Sequence, residues 1–255
     1  LAEKKQRHIA VISGKGGVGK TTTTVNLGIA LQNAGHNVVL VDSNLDTPNL
    51  GLHLEIPQTP TTLNNVLTGE ARITDALYEH KSGVKIVPAS LSLSDVGRYG
   101  HYGFKDMLRS IPRKYDTVLI DCSPGLGYDI RMVLDAVDEV LVVTNPYLPA
   151  LIDSLKSIKF AKQIGTNVRG VVLNKATGSK YDIDDKTILE MLDQEVLAKI
   201  PFDKSVLESI FVREPLVNYG PRSPAARGFR RLAAVFDGGE YQESAFEKVL
   251  GFFGR

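Results

Sequence analysis

Eight consecutive residues, Gly14-Lys15-Gly16-Gly17-Val18-Gly19-Lys20-Thr21, constrain this chain more than any other stretch. They follow an apolar run of strand length, residues 8–13, and open a helix-patterned run, residues 21–33, that Gly35 closes. Strand, glycine-rich turn and helix in that order fit the pattern G-x-x-x-x-G-K-[ST]. There, backbone N–H groups turn inward on a phosphate and the helix N-terminus adds partial positive charge. Lys20 is then placed to bridge the β- and γ-phosphates of a nucleotide and the Thr21 hydroxyl to ligate Mg²⁺. Thr22 falls, with less specificity, at the α-phosphate.

Further near-continuous apolar runs at residues 38–42, 84–88, 117–121, 139–145, 169–174 and 196–200 alternate with helical patterns, of which 148–163, closed by Gly165, and 224–236 are the clearest. Runs that are apolar throughout belong to parallel strands covered by helices on both faces, so the fold class is α/β with a mainly parallel twisted sheet. A length of 255 residues suits one such domain, here residues 1–236. The connections 47–62 and 90–102 are longer than idle loops usually are. A polar, Gly-bearing linker, 237–243, leads to a short C-terminal tail, 244–255.

Several function classes are disfavoured by composition. Thirty basic against 29 acidic residues leave a formal charge of +1, without the positive field of a dedicated nucleic-acid binder. The single cysteine, Cys122, forms no internal disulfide and supplies no thiolate cluster, which fits a reducing, cytoplasmic setting. The histidines (His8, His36, His53, His80, His101) are scattered without metal-ligand spacing and are expected at the surface or satisfied in the core. Neither a membrane span nor a signal peptide is expected, and residues ahead of Leu1 are, since the chain does not start with Met.

Asp42 and Asp121 each close an apolar run, at the strand ends where parallel sheets bind ligands. Carboxylates there can hold Mg²⁺ through its waters; the alternative is that each caps the following loop. For the base, Asn174-Lys175 begins like the guanine-reading N-K-x-D box, but Thr177 stands where the aspartate should be. Guanine's donors would lose their acceptor, so adenine is favoured.

With its second lysine, the segment Lys15 to Thr21 resembles the deviant Walker A box of the MinD/ParA ATPases. Val41-Asp42-Ser43-Asn44-Leu45 through Pro48-Asn49-Leu50 resembles that family's switch I, and Ile120-Asp121-Cys122-Ser123-Pro124-Gly125 its Walker B and switch II. Asn145-Pro146, Val172-Leu173-Asn174-Lys175 and Ile200-Pro201-Phe202-Asp203 are similar to later family segments, and archaeal-type MinD proteins are the most alike. The resemblance implies a single-domain, SIMIBI-like P-loop ATPase using ATP/ADP and Mg²⁺. In it the phosphates lie on Gly14, Lys15, Gly16, Gly17, Val18, Gly19, Lys20, Thr21 and Thr22, with Mg²⁺ on Thr21, Asp42 and Asp121. It puts Asn174 at the adenine edge and Pro201 with Asp203 in the base pocket, although Asp203 fits equally well as the cap of the next helix. Lys15, by the same resemblance, reaches the phosphates of a facing subunit in an ATP-sandwiched homodimer.

One position departs from the family. Asn44 stands where an aspartate usually orients or activates the attacking water, and an amide does not accept that water's proton. Intact nucleotide binding with depressed turnover is expected. The resemblance implies an ATP-driven dimerisation switch, recruited to the membrane surface to position a cell-division or other assembly with an activator or cargo protein. A DNA-partitioning ATPase of the ParA kind is the main alternative, suggested by Arg227, Arg230 and Arg231 on one helix face with Arg222 nearby. A non-hydrolysing scaffold is another. A metal-cluster ATPase lacks its cysteines here, and a tyrosine-kinase-like enzyme its tail tyrosines, Tyr241 being alone.

The tail carries Phe246, Val249, Leu250 and Phe253 at i, i+3, i+4 and i+7, opposite Glu247, Lys248, Gly251 and Arg255. Such an amphipathic segment suits an anionic membrane surface, or docking on its own domain or another protein. Glu243 and Glu247 weaken attraction to anionic lipid, so one tail is expected to bind weakly and two, held by a dimer, far more tightly.

Overall fold

The computed structural model describes residues 5–56, 59–92 and 103–239. In chain order the elements are β1 (Arg7–Ile12), α1 (Lys20–Asn33), β2 (Val38–Asp42), α2 (Leu50–His53), α3 (Leu63–Leu67), a 3₁₀ turn (Ile73–Ala76), β3 (Tyr78–Glu79) and β4 (Lys85–Val87). They continue with α4 (Phe104–Arg109), β5 (Thr117–Asp121), α5 (Tyr128–Leu134), β6 (Glu139–Thr144), α6 (Leu148–Ile164) and β7 (Asn167–Ala176). The last are α7 (Asp185–Leu192), β8 (Val196–Pro201), α8 (Ser205–Phe211), α9 (Leu216–Tyr219) and α10 (Pro224–Phe236).

The strands form one sheet in the order β3-β4-β2-β5-β1-β6-β7-β8. All neighbours are parallel except β3, which pairs antiparallel with β4. Alternate residues of each strand feed two cores. Ala10 and Ile12 of β1 with Val39 and Val41 of β2 meet residues of α3, α4, α5, α6 and α7. Ile9 and Val11 with Val38 and Leu40 meet α1, α2, α9 and α10 on the other face. That two-sided burial is why the strand sequences are apolar without a break.

Some boundaries differ from the sequence expectation. Strand β7 is longer than 169–174, because Asn167 and Val168 pair with Glu139 and Val140 and Ala176 pairs with Pro201. The connection 47–62 contains a helix, α2, whose Leu50 is the one buried residue of its four. Strand β3 has only two residues, too few to show a period. Helix α10 ends at Phe236 with Asp237 as its C-cap. Phe246, Val249, Leu250, Phe253 and Tyr241 lie outside the described residues, as do His101 and most of 90–102.

Candidate functional site

The glycine-rich loop joins the C-terminal end of β1 to the start of α1, at the edge of the sheet where β2 and β5 also end. Gly17 and Gly19 have φ of +78° and +98°, in the left-handed region. Residues with a Cβ avoid that region, and here it turns the loop around the helix start. The loop is held from outside as well. Asn174 Nδ2 donates to the Val18 carbonyl at 2.8 Å, Asn145 Nδ2 to the same carbonyl at 3.3 Å, and Lys175 Nζ to the Gly17 carbonyl at 2.7 Å. Lys175 itself has φ +58°, a costly backbone conformation for a lysine that aims its ammonium at the loop.

Beside the loop, Asp42 and Asp121 are register partners on adjacent strands, and both are buried. Asp121 gathers the first turns of α1: Thr21 Oγ1 donates to its Oδ2 at 2.6 Å, and its Oδ1 lies 3.3 Å from both Lys20 Nζ and Thr24 Oγ1. Asp42 instead accepts backbone N–H groups from Asn44, Asn49 and Leu50, at 3.2, 3.0 and 2.9 Å, which folds switch I around it. Burial, and after it the charge of Asp121, push the Asp42 carboxyl up to about 7 against the pull of those N–H groups.

A cleft of about 420 Å³ opens above these groups. Lys15, Gly16, Gly17, Gly19, Lys20, Thr21, Thr22, Asn44, Asn174, Pro201 and Asp203, all singled out in the sequence, line it together. Gly14, Val18, Asp42 and Asp121 do not line it. Gly14 abuts the Asp153 backbone in α6, the Val18 side chain lies in the core, Asp121 is buried, and Asp42, also buried, borders a second cavity with Pro48 and Gly51. The Lys15 side chain is exposed and its ammonium makes no hydrogen bond or ion pair among the described residues, while its backbone carbonyl accepts the Ser13 hydroxyl at 3.0 Å. The Asn44 amide is engaged locally: its Nδ2 donates to the Thr47 carbonyl at 2.6 Å, and its Oδ1 accepts the Thr47 hydroxyl at 3.1 Å. Asp203 both lines the cleft and caps, its oxygens accepting the N–H of Ser205 at 2.9 Å and of Ala225 at 3.1 Å. Those donors hold its carboxyl below the ordinary range although burial works the other way.

Several lining residues escaped the sequence reading. The far wall is apolar, from Phe202 and from Val206, Leu207 and Ile210 of α8. Phe202 falls in the segment 200–203 already singled out, whereas α8 has seven residues, too few to show a period. His53, expected at the surface or in the core, also lines the cleft.

The donor set at the loop suits Mg²⁺: hard oxygens of Thr21 and Asp121, a second carboxylate adjacent, and no thiolate or imidazole among them. Among the described residues no group of three or more His, Cys, Asp or Glu side chains could hold a metal ion unaided. A phosphate-bound Mg²⁺ needs no such cage.

Residues 6–169 match the model of a family described as an AAA domain. An uncharacterized ATP-binding protein of Methanocaldococcus jannaschii is 34% identical over 97% of both chains. The septum site-determining protein MinD of Pyrococcus horikoshii, solved with Mg-ADP, is 35% identical with a TM-score of 0.86, covering 91% of this chain and 96% of its own. The chain belongs to the MinD/ParA family of P-loop ATPases. The cell division ATPase MinD of Pyrococcus furiosus aligns equally well, at 35% identity and a TM-score of 0.87 over 91% of this chain and 98% of its own. Both Pyrococcus structures thus share the fold of this chain.

Proposed function

We propose that the chain is a Mg-ATP-dependent dimerisation switch of MinD type, with weak ATP hydrolysis resetting it. One observation carries the reading: the Lys15 ammonium stands exposed and, among the described residues, unpartnered beside a cleft in which Lys20 would serve the phosphates. A γ-phosphate would draw that lysine from a facing copy and release it after hydrolysis, which makes the dimer a sensor of nucleotide state.

Within one subunit, the N–H groups of residues 14–22 and the Lys20 ammonium bind the phosphates. Asn174, Pro201 and Asp203, with the apolar wall of α8, receive adenine. Thr21 and Asp121 would hold Mg²⁺, with Asp42 behind them, and bound Mg²⁺ supplies charge neutralisation between β- and γ-phosphate oxygens. Asp42 anchors switch I through Asn44, Asn49 and Leu50, so a change at the metal reaches the segment that faces a partner.

The tail, residues 244–255, is the proposed membrane element. Two tails held by one ATP dimer make the second insertion intramolecular and raise avidity by roughly 10² to 10⁴. The protein would then be cytoplasmic with ADP and peripheral on anionic membrane with ATP, positioning a cell-division or other assembly. No described helix is long and apolar enough to cross a membrane. A protein activator or cargo completes this scheme, and DNA has no part in it.

Co-sedimentation with anionic vesicles under ATP, ADP and no nucleotide tests the switch. The intact chain should pellet with ATP alone. Deleting Phe246 to Arg255 should abolish pelleting while leaving the ATP dimer, and Lys15→Ala should bind ATP yet stay monomeric in sedimentation. An ATP dimer of undiminished affinity in Lys15→Ala would sink the sensor role, and equal pelleting of intact and truncated chains would show the tail to be a docking helix.

A further inference from the structure

In this cleft the usual water-activating carboxylate is replaced by Asn44, and the Asn44 amide is spent on Thr47, its nitrogen and oxygen both engaged there. Two other lining groups near the loop, Lys15 and Lys20, are cationic donors without a lone pair for a water proton. Asp203 belongs to the base end, between the starts of α8 and α10, with both oxygens occupied.

His53 is different. Four histidines lie among the described residues, and three of them are engaged: His8 with Gln6 and Asp138, His36 with Asp116 and Asp237, His80 with Ser82. Neither ring nitrogen of His53 has a hydrogen-bond partner among the described residues, and the ring is half-buried against the cleft. It sits on α2, whose first residue, Leu50, donates its N–H to Asp42, the register partner of Asp121, and it lines the cleft together with Lys20 and Thr21. That puts it at the metal and γ-phosphate end rather than the base end. Burial holds its pKa below the ordinary histidine value, so near neutrality the ring keeps a basic lone pair.

Resting on the ATPase reading above, we infer that His53 is the water-positioning residue of this chain, accepting a hydrogen bond from the attacking water in place of the carboxylate that Asn44 has lost. The water oxygen forms its bond to the γ-phosphorus as the bond to the β–γ bridging oxygen breaks. ADP takes that electron pair, and the water's proton ends on a γ-phosphate oxygen, so that ADP and dihydrogen phosphate leave. The imidazole orients the water and is unchanged at the end.

The test is phosphate release by the full chain with Mg-ATP and anionic vesicles, alongside binding of Mg-ATPγS. His53→Leu should lower kcat by about tenfold, the value of one lost hydrogen bond, with the KM for ATP and the ATPγS affinity within about threefold of wild type. His53→Gln, which keeps an acceptor and a similar shape, should retain more turnover. Asn44→Asp added to His53→Leu should restore it by supplying a carboxylate. A His53→Leu chain as fast as wild type overturns the assignment, as does one whose ATPγS affinity falls as far as its kcat, or one that Asn44→Asp leaves equally slow. A wild-type chain that binds ATPγS but releases no phosphate overturns it too. Failure of the wild type to bind Mg-ATPγS at all is a different result, and removes the ATPase reading itself.

Discussion

A Cβ placed on Gly19 would lie 2.0 Å from the side-chain nitrogen of Asn174, at a φ of +98°. The left-handed backbone alone costs a residue with a Cβ about 1–2 kcal/mol, and the clash would push Asn174 off the Val18 carbonyl. Gly19→Ala should therefore lose Mg-ATP affinity tenfold or more in calorimetry while the domain stays folded; unchanged affinity would mean the loop tolerates both insults. A second residue-scale prediction concerns Asp42, whose carboxyl is lifted from 3.8 to about 7. The unfolded chain sheds this proton near the lower value and the folded chain only near the upper one. Its contribution to stability is therefore complete below about pH 4 and is lost as pH rises through about 7. Without Mg²⁺, Asp42→Asn should shrink the fall in melting temperature between those two pH values, and an equal fall in both proteins would contradict the assignment. At this scale the phosphate loop was legible because its residues are contiguous in the chain. Asn145 and Lys175 stood out as segments, but their bonds to the Val18 and Gly17 carbonyls did not, and neither did the bond of Thr24 to Asp121 or the place of His53 in the cleft, since only the folded sheet brings these groups together.

Among the elements, α10 runs from the cleft to the opposite edge of the sheet. Asp203 accepts the N–H of Ala225 at its start. At its end the Phe236 carbonyl accepts Arg7 Nη1 and Arg169 Nη2, each at 3.2 Å, and the Phe236 ring lies 5.7 and 4.7 Å from the two guanidinium carbons. Glu139 pairs with both arginines, and His36 joins Asp237 to Asp116 at 2.6 and 3.1 Å. Everything that follows Asp237 thus leaves from a fixed point. Phe236→Ala, at a side chain 2% exposed, should cost about 3–5 kcal/mol in denaturant unfolding, and a loss under about 1 kcal/mol would show the clamp to be ornamental. The long helices α1, α6 and α10 were readable from their apolar spacing and closing residues. Helices α2, α4, α5, α8 and α9 were not, because four to seven residues hold barely one or two turns and show no period.

For the whole molecule, the α/β class followed from strands with no polar face, but the order of strands did not, since apolar runs carry no label for their neighbours. That order has a consequence during synthesis. Strand β1 lies between β5 and β6, with Arg7 paired to Thr117 and Ile9 to Glu139. At about 5–20 residues added per second, β1 waits on the order of ten seconds for either partner. A nascent chain arrested just before Thr117 should be cut by protease throughout, and one extended past the sheet should resist; early resistance would mean β1 finds another partner. Through that interval its apolar residues, and the loop behind them, have no sheet to enter. The phosphate-loop segment is made well before the strands that flank it, and its shape is a late product of the chain, available to a nucleotide only once β5 and β6 have emerged.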